Sequence, residues 1–236
     1  MYSFLLITFC SASALASSIN SPCKVTDSSC MEIFLNTVQK EIVNGIPELG
    51  IMKSDPLFIE TIEGNLSILK YKLFNSTLVG FKGCVISNLK INKDITNLKY
   101  DLNCPRLSLK GKYEISGRLV VLPIEGKGDY QSVAEKYLVH VESDLKKIEG
   151  ADGKTHLSIE NIIIKCIPQD IISYNFENLF NGQKKLSSEV HKFAYENWRE
   201  VAELVQDPIW YSLYNNITGS MNKYLLSVAF EDVIRN

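Results

Sequence analysis

The sequence predicts an α+β fold in which a long, highly curved antiparallel sheet wraps a long C-terminal helix. Three observations carry this. From Gly64 to about Cys166 the apolar residues recur with period two, which is the period of a strand with one buried face. After Asn181-Gly182 the period becomes helical and stays so almost to the end. Strand residues followed by helix residues, not alternating with them, give segregated α and β layers.

The chain opens with Met1-Tyr-Ser-Phe-Leu-Leu-Ile-Thr-Phe-Cys10, a short apolar block, then a run of small residues from Ser11 to Ser18. Ala14-Leu15-Ala16 has the small-x-small form after which signal peptidase cuts. The block is too short to span a bilayer, which takes about 20 residues. Residues 1–16 are therefore expected to be a removable export signal, and 17–236 an extracellular product of a length for one large domain or two small ones. No later stretch approaches membrane length, so no integral membrane association is expected.

Of the six cysteines, Cys10 falls in that signal, leaving Cys23, Cys30, Cys84, Cys104 and Cys166, an odd number. In an oxidising compartment this implies two bridges and one thiol left free or paired between chains. Sequons at Asn65, Asn75 and Asn216 fit the same route and are candidate glycosylation sites. Charge is nearly balanced, 25 basic against 27 acidic residues, net −2, with no basic stripe. A nucleic-acid partner is not expected, nor steering of charged ligands.

Ser28 or Ser29 is placed to cap a first helix whose apolar face carries Ile33, Phe34, Val38 and Ile42, ended by Gly45 and Pro47. A Cys23–Cys30 bridge would staple the preceding tail to it. In the sheet region, the odd positions from Leu107 to Pro123 are Leu107, Leu109, Gly111, Tyr113, Ile115, Gly117, Leu119, Val121 and Pro123, facing polar even positions. A strand so long outruns a flat core, since about five or six residues is usual. With Gly111 and Gly117 on the apolar face it is expected to curve. Leu98, Tyr100, Leu102 and Cys104 repeat the period, as do Val133, Tyr137, Val139, Val141 and Leu145.

Cys84 and Cys104 flank a hairpin turning near Lys93-Asp94. Pairing 84 with 104 sets Ile86 against Leu102 but Lys90 against Leu98, out of step with the apolar pattern. A bulge would reconcile them; Cys166 is the competing partner. In the C-terminal helix Leu186, Val190, Phe193, Ala194, Val201, Leu204 and Val205 line one face, and Ile209, Leu213, Ile217, Met221, Tyr224, Leu225 and Val228 continue it. Pro208 between them is expected to kink or break the helix.

Catalytic patterns are missing: no Gly-x-Ser-x-Gly elbow, no phosphate-binding glycine loop and no His-Glu-x-x-His. His140, His156 and His191 are scattered, and no enzyme activity, metal or cofactor is expected. Apolar residues make up 45% of the chain, with 11 Tyr and 10 Phe. They suit either a dry core or the enclosure of a small apolar molecule oriented by a few Tyr or Trp polar groups.

Several segments, in order, resemble the insect takeout and haemolymph juvenile-hormone-binding protein family over essentially the whole length beyond the signal. They are Pro22-Cys23-x6-Cys30, Gly45-Ile-Pro-Glu-Leu-Gly50 leading to Asp55-Pro56-Leu57, and Pro105-Arg-Leu-Ser-Leu-Lys-Gly-Lys-Tyr113-Glu-Ile-Ser-Gly117. Leu122-Pro-Ile-Glu-Gly126-Lys-Gly128, Asn178-Leu-Phe-Asn-Gly182 and Asn197-Trp198 follow. The resemblance implies a single elongated domain over 17–236, with a fold akin to tubular lipid-binding proteins. An apolar tunnel would hold a terpenoid hormone, pheromone or fatty-acid-like ligand, with no catalysis. It also implies the Cys23–Cys30 pair. The second bridge of the hormone-binding members joins the region of Cys166 to the last helix. This chain has no cysteine beyond 166, so that bridge cannot form; Cys84 and Cys104 are its candidate replacement, and the takeout-like branch is the closer one. Inward candidates for the tunnel are Tyr113, Ile115, Leu119 and Val121 on the long strand, and Phe193, Val201, Trp210 and Leu213 on the helix. The competing expectation is a secreted interaction or signalling protein of the same fold with a closed or vestigial tunnel, acting through a receptor or partner surface.

Overall fold

In the computed structural model, which describes residues 22–235, a two-residue strand β1 (Cys23–Lys24) pairs in parallel with the last strand, β11 (Ile234–Arg235). The two ends of the described chain are thereby tied together. The expected export signal, residues 1–16, lies outside the described residues. The Cys23–Cys30 disulfide joins β1 to helix α1 (Ser28–Asn44). Asp27, not Ser28 or Ser29, caps this helix: its carboxylate accepts the Cys30 N–H at 3.0 Å. An aspartate there satisfies an otherwise orphaned donor and also complements the positive helix end. The buried face is set by Met31, Val38, Ile42 and Val43. Ile33 is two residues from Met31, about 200° around the helix, and is 65% exposed, so it leaves the expected apolar face.

Strands β2 (Leu57–Asn65), β3 (Leu69–Val79), β4 (Val85–Ile91), β5 (Asn97–Cys104), β6 (Leu107–Leu119), β7 (Leu122–Ala134), β8 (Tyr137–Glu149), β9 (Thr155–Pro168) and β10 (Ile172–Phe176) follow. They form two antiparallel curved sheets, ordered β10-β7-β6-β3-β2 and β4-β5-β8-β9. Curvature has visible causes. β3 bulges at Asn75, which has φ 51°, and Gly111 of β6 lies opposite. A Cβ on Gly111 would stand 2.9 Å from the Phe74 and Asn75 carbonyl oxygens, so only glycine admits the close approach. Gly117 has φ 125° and lies against the Ile68 carbonyl, where the chain bends toward its turn.

The expected strand from Leu107 to Pro123 is interrupted. β6 ends at Leu119, Leu119 pairs with Leu122, and Val120-Val121 form a tight turn with Val120 at φ 57°. Two valines carry no turn signal, so the alternation read straight across them. Val121 is 64% exposed at this tip and does not face the interior, which corrects its assignment as a tunnel residue.

The Cys84–Cys104 disulfide forms, and the register conflict beside it is resolved by a bulge. Val85, Ile86 and Ser87 pair with Asn103, Leu102 and Asp101; the ladder then shifts, and Lys90 and Ile91 pair with Lys99 and Leu98. Asn88 takes the extra position at φ 54°. Asparagine tolerates the left-handed region, and the inserted residue lets Ile86 and Leu89 both face inward, at 6% and 4% exposure.

Helices α2 (Lys184–Glu196), α3 (Trp198–Ser227) and the one-turn α4 (Phe230–Val233) complete the chain. The expected break at Pro208 does not occur; α3 runs through it for 30 residues, and the interruption falls at Asn197, φ −115° and ψ 32°. Proline removes one backbone donor, but neighbouring groups hold the helix there. The Tyr71 hydroxyl donates to the Val205 carbonyl at 2.7 Å, and the Gln206 amide donates to the Cys166 carbonyl at 3.2 Å.

Both edges of the four-stranded sheet are covered by helices through side-chain amides. On β4, Asn36 of α1 donates to the Ile86 carbonyl and accepts the Ile86 N–H, each at 2.8 Å. Glu32 accepts from Leu89 N–H, and the Gln39 amide donates to the Cys84 carbonyl. On β9, Asn222 of α3 treats Ile159 in the same way, accepting at 2.7 Å and donating at 2.9 Å. Each amide imitates a neighbouring strand and satisfies backbone groups that an edge leaves bare. No helix among the described residues is long and apolar enough to cross a membrane.

Candidate functional site

α3 presents Trp210, Leu213, Tyr214, Ile217 and Tyr224 on one buried face, spaced for a single stripe. Three voids lie along this stripe. The first, about 70 Å³, is bordered by Leu78, Leu109, Tyr137, Tyr174, Gln206 and Trp210 among others. The middle one, about 40 Å³, lies between α1, β5 and α3, and Gln39, Ile42, Tyr100, Tyr214, Ile217 and Met221 border it. The end void, about 70 Å³, is closed by Met31, Phe34, Ile95, Leu157, Leu225 and Phe230. Leu35, Leu98 and Met221 border both the middle and the end void, so only side chains divide them.

Among the described residues, no Lys, Arg, His, Asp or Glu borders any of the three. An ionised ligand group would lose its hydration without a countercharge, a cost of several kcal/mol. The walls therefore suit an uncharged molecule. Aromatic rings separate the first void from the middle one: Tyr137 packs edge-on against Trp210 with centroids 5.0 Å apart, and Trp210 is 6.3 Å from Tyr214. Tyr137 donates to the Gln206 side-chain oxygen at 2.7 Å. Burial pushes the hydroxyls of Tyr100, Tyr137, Tyr174 and Tyr214 above the ordinary phenol range, so they stay neutral donors at physiological pH.

Two polar atoms at the middle void have no partner. Tyr214 Oη is fully buried and makes no hydrogen bond among the described residues; the Tyr100 hydroxyl is near enough to perturb its titration. Gln39 Oε1 is likewise buried and unpartnered. Its orientation is fixed, because its amide nitrogen donates to the Cys84 carbonyl at 3.0 Å and only the NH₂ end can do so.

Of the eight interior candidates read from the sequence, Trp210 and Leu213 border a void. Tyr113, Leu119 and Val201 are buried, and Ile115 and Phe193 half-buried, but none borders any of the three. Tyr113 is packed edge-on against Phe176 and donates to the Glu177 carbonyl, a core role. The bordering residues that sequence reasoning missed come from α1, the β4–β5 hairpin tip and the last turns of the chain. Ile95 illustrates the difficulty. It is a β-branched residue at φ 56°, 2% exposed, held inward by a turn in which Asn92 accepts from the Thr96 and Asn97 N–H groups. Such a conformation costs about 1–2 kcal/mol, and no propensity rule would have placed it there.

The histidines are apart from the voids and from one another. His140 pairs with Asp101 on an outer strand face, His156 with Asp152 at the β8–β9 turn. His191 accepts the Phe176 N–H and donates to the Ser187 carbonyl, tying α2 to β10. Cys166 carries no disulfide among the described residues, and burial pushes its thiol well above the usual range, which makes it a poor nucleophile. Asn65, Asn75 and Asn216 are all exposed. No cluster of three or more His, Cys, Asp or Glu placed to hold a metal ion occurs among the described residues.

Comparison with known proteins gives a consistent result. The family described as haemolymph juvenile hormone binding protein matches residues 3–235. The circadian clock-controlled protein daywake of Drosophila melanogaster is 28% identical over 198 residues, covering 79% of this chain and 76% of the relative. Its Drosophila yakuba counterpart is 28% identical over 200 residues with the same coverage. Among solved structures, Epiphyas postvittana Takeout 1 superposes with a TM-score of 0.86 at 26% identity, covering 92% of this chain and 100% of that one.

Proposed function

We propose that this chain, which belongs to the haemolymph juvenile hormone binding protein family, is an extracellular carrier that encloses a small uncharged apolar molecule along α3. The observation that carries the reading is the line of uncharged, apolar-walled voids between that helix and the sheets. Filling such space recovers dispersion contacts and removes apolar surface from water. Two disulfides support an oxidising, extracellular setting. The chain's part is binding and shielding, not catalysis. The ligand class is a terpenoid or fatty-acid-like lipid in its neutral form.

The test is lipid extraction and mass spectrometry of protein purified from its native fluid, with displacement of an apolar fluorescent probe. A reproducible stoichiometric lipid is expected. Repeated absence of lipid together with no probe binding would sink the carrier. One observation favours the second reading, an interaction protein with a vestigial interior: the voids are small and divided by side chains. That reading predicts probe-silent protein and a partner captured through an outer surface.

A further inference from the structure

Resting on the carrier reading, we infer that the middle void is a recognition site for a ligand hydroxyl, which makes the preferred cargo a long-chain or terpenoid alcohol. Two unpartnered buried atoms border this one small space, and their chemistry differs. Tyr214 Oη has a hydrogen to give, and Gln39 Oε1 only accepts. A buried polar atom without a partner is costly, and the penalty is relieved by a ligand that supplies the complement. A hydroxyl does both: its oxygen accepts from Tyr214 and its hydrogen goes to Gln39. An ester, ether, epoxide or ketone answers Tyr214 but leaves Gln39 bare. A fatty acid must first give up its ionised state to enter a space without a cation, a cost an alcohol does not bear, and a hydrocarbon answers neither.

The same geometry orients the chain. Behind the polar pair, Leu35, Leu98 and Met221 are shared with the end void, whose other walls are apolar. The alcohol head therefore sits between Gln39 and Tyr214, and its tail runs past Met221, a side chain with the rotational freedom to admit it, toward Leu157 and Phe230.

Competition against a fluorescent naphthylamine with dodecanol and its methyl ether, on the intact protein, separates the possibilities. In the unaltered protein the alcohol is expected to bind about tenfold more tightly than the ether, the scale of one buried hydrogen bond. Gln39→Met should bring that ratio to about one, because the acceptor is gone. Tyr214→Phe should weaken both ligands together. Equal binding of alcohol and ether in the unaltered protein, or a ratio unmoved by Gln39→Met, overturns the hydroxyl site while leaving the carrier standing. Failure of both ligands to displace the probe overturns the carrier reading itself. If Gln39→Met does not fold, the alcohol-to-ether ratio in the unaltered protein still decides.

Discussion

Met221 stands between two of the voids, and enlarging it tests whether that space holds the ligand. At about 24 cal/mol per Å³ of cavity, the middle and end voids cost the empty protein roughly 2–3 kcal/mol. A ligand that fills them returns this. Met221→Trp places an indole where the tail must pass. The filled volume offsets an overpacking cost of about 1–3 kcal/mol, so the midpoint of urea unfolding should move little. Binding should not be so tolerant. A dodecyl chain burying about 300 Å² gains roughly 7 kcal/mol before association costs. Losing the half that reaches the end void removes about 3 kcal/mol, or roughly a hundredfold in affinity. Met221→Ala should act oppositely, joining the voids, lowering stability by about 2 kcal/mol for a half-buried methionine, and binding long chains at least as well. Probe displacement beside urea titration reads both quantities. A folded Met221→Trp protein with unchanged dodecanol affinity would refute the placement of the ligand.

Three other outcomes are expected. Asn36→Leu leaves the Ile86 N–H and carbonyl without partners on the β4 edge, and should cost about 2–3 kcal/mol in urea unfolding at constant m; Thr37→Val, on the exposed side of the same helix, should stay within about 0.5 kcal/mol. Tyr113, Tyr130 and Tyr224 are pushed up to about 12, chiefly by burial. The unfolded chain therefore releases these protons first, near pH 10. Stability should be flat below that and fall toward pH 12, at up to about 1.4 kcal/mol per pH unit per tyrosine. Unfolding curves paired with phenolate absorbance test this, and a flat profile to pH 12 would contradict it. Removing the Cys84–Cys104 bridge with paired serines frees a loop of 20 residues, for an expected loss of about 3 kcal/mol at 25 °C, measurable as a lower unfolding midpoint.

Period alone made much of this fold legible. Alternation marked β5, β6 and β8, helical spacing marked α1 and the C-terminal helices, and segregation of the two periods gave the α+β class. The hairpin at Lys93-Asp94 and the need for a bulge beside Cys84 followed from residues a few positions apart. Where period misled, a local rule was overruled by neighbours distant in the chain. Pro208 does not break α3 because a tyrosine side chain from β3 and a backbone carbonyl of β9 hold the helix there. Val120-Val121 turn without a turn residue because the β6–β7 ladder pairs right up to Leu119 and Leu122.

The cysteine inventory, the balanced charge and the two-layer class follow from residue order and composition alone. The voids do not. A cavity is what packing leaves over, and its walls come from α1, the β4–β5 tip, α3 and the chain's last turns, far apart in sequence. Period places a residue on a face but does not say whether that face meets a neighbour or a gap, which is why Tyr113 and Leu119 read as cavity residues yet lie in solid core. The unpartnered Gln39 and Tyr214 became visible only when every other partner had been placed by the tertiary structure.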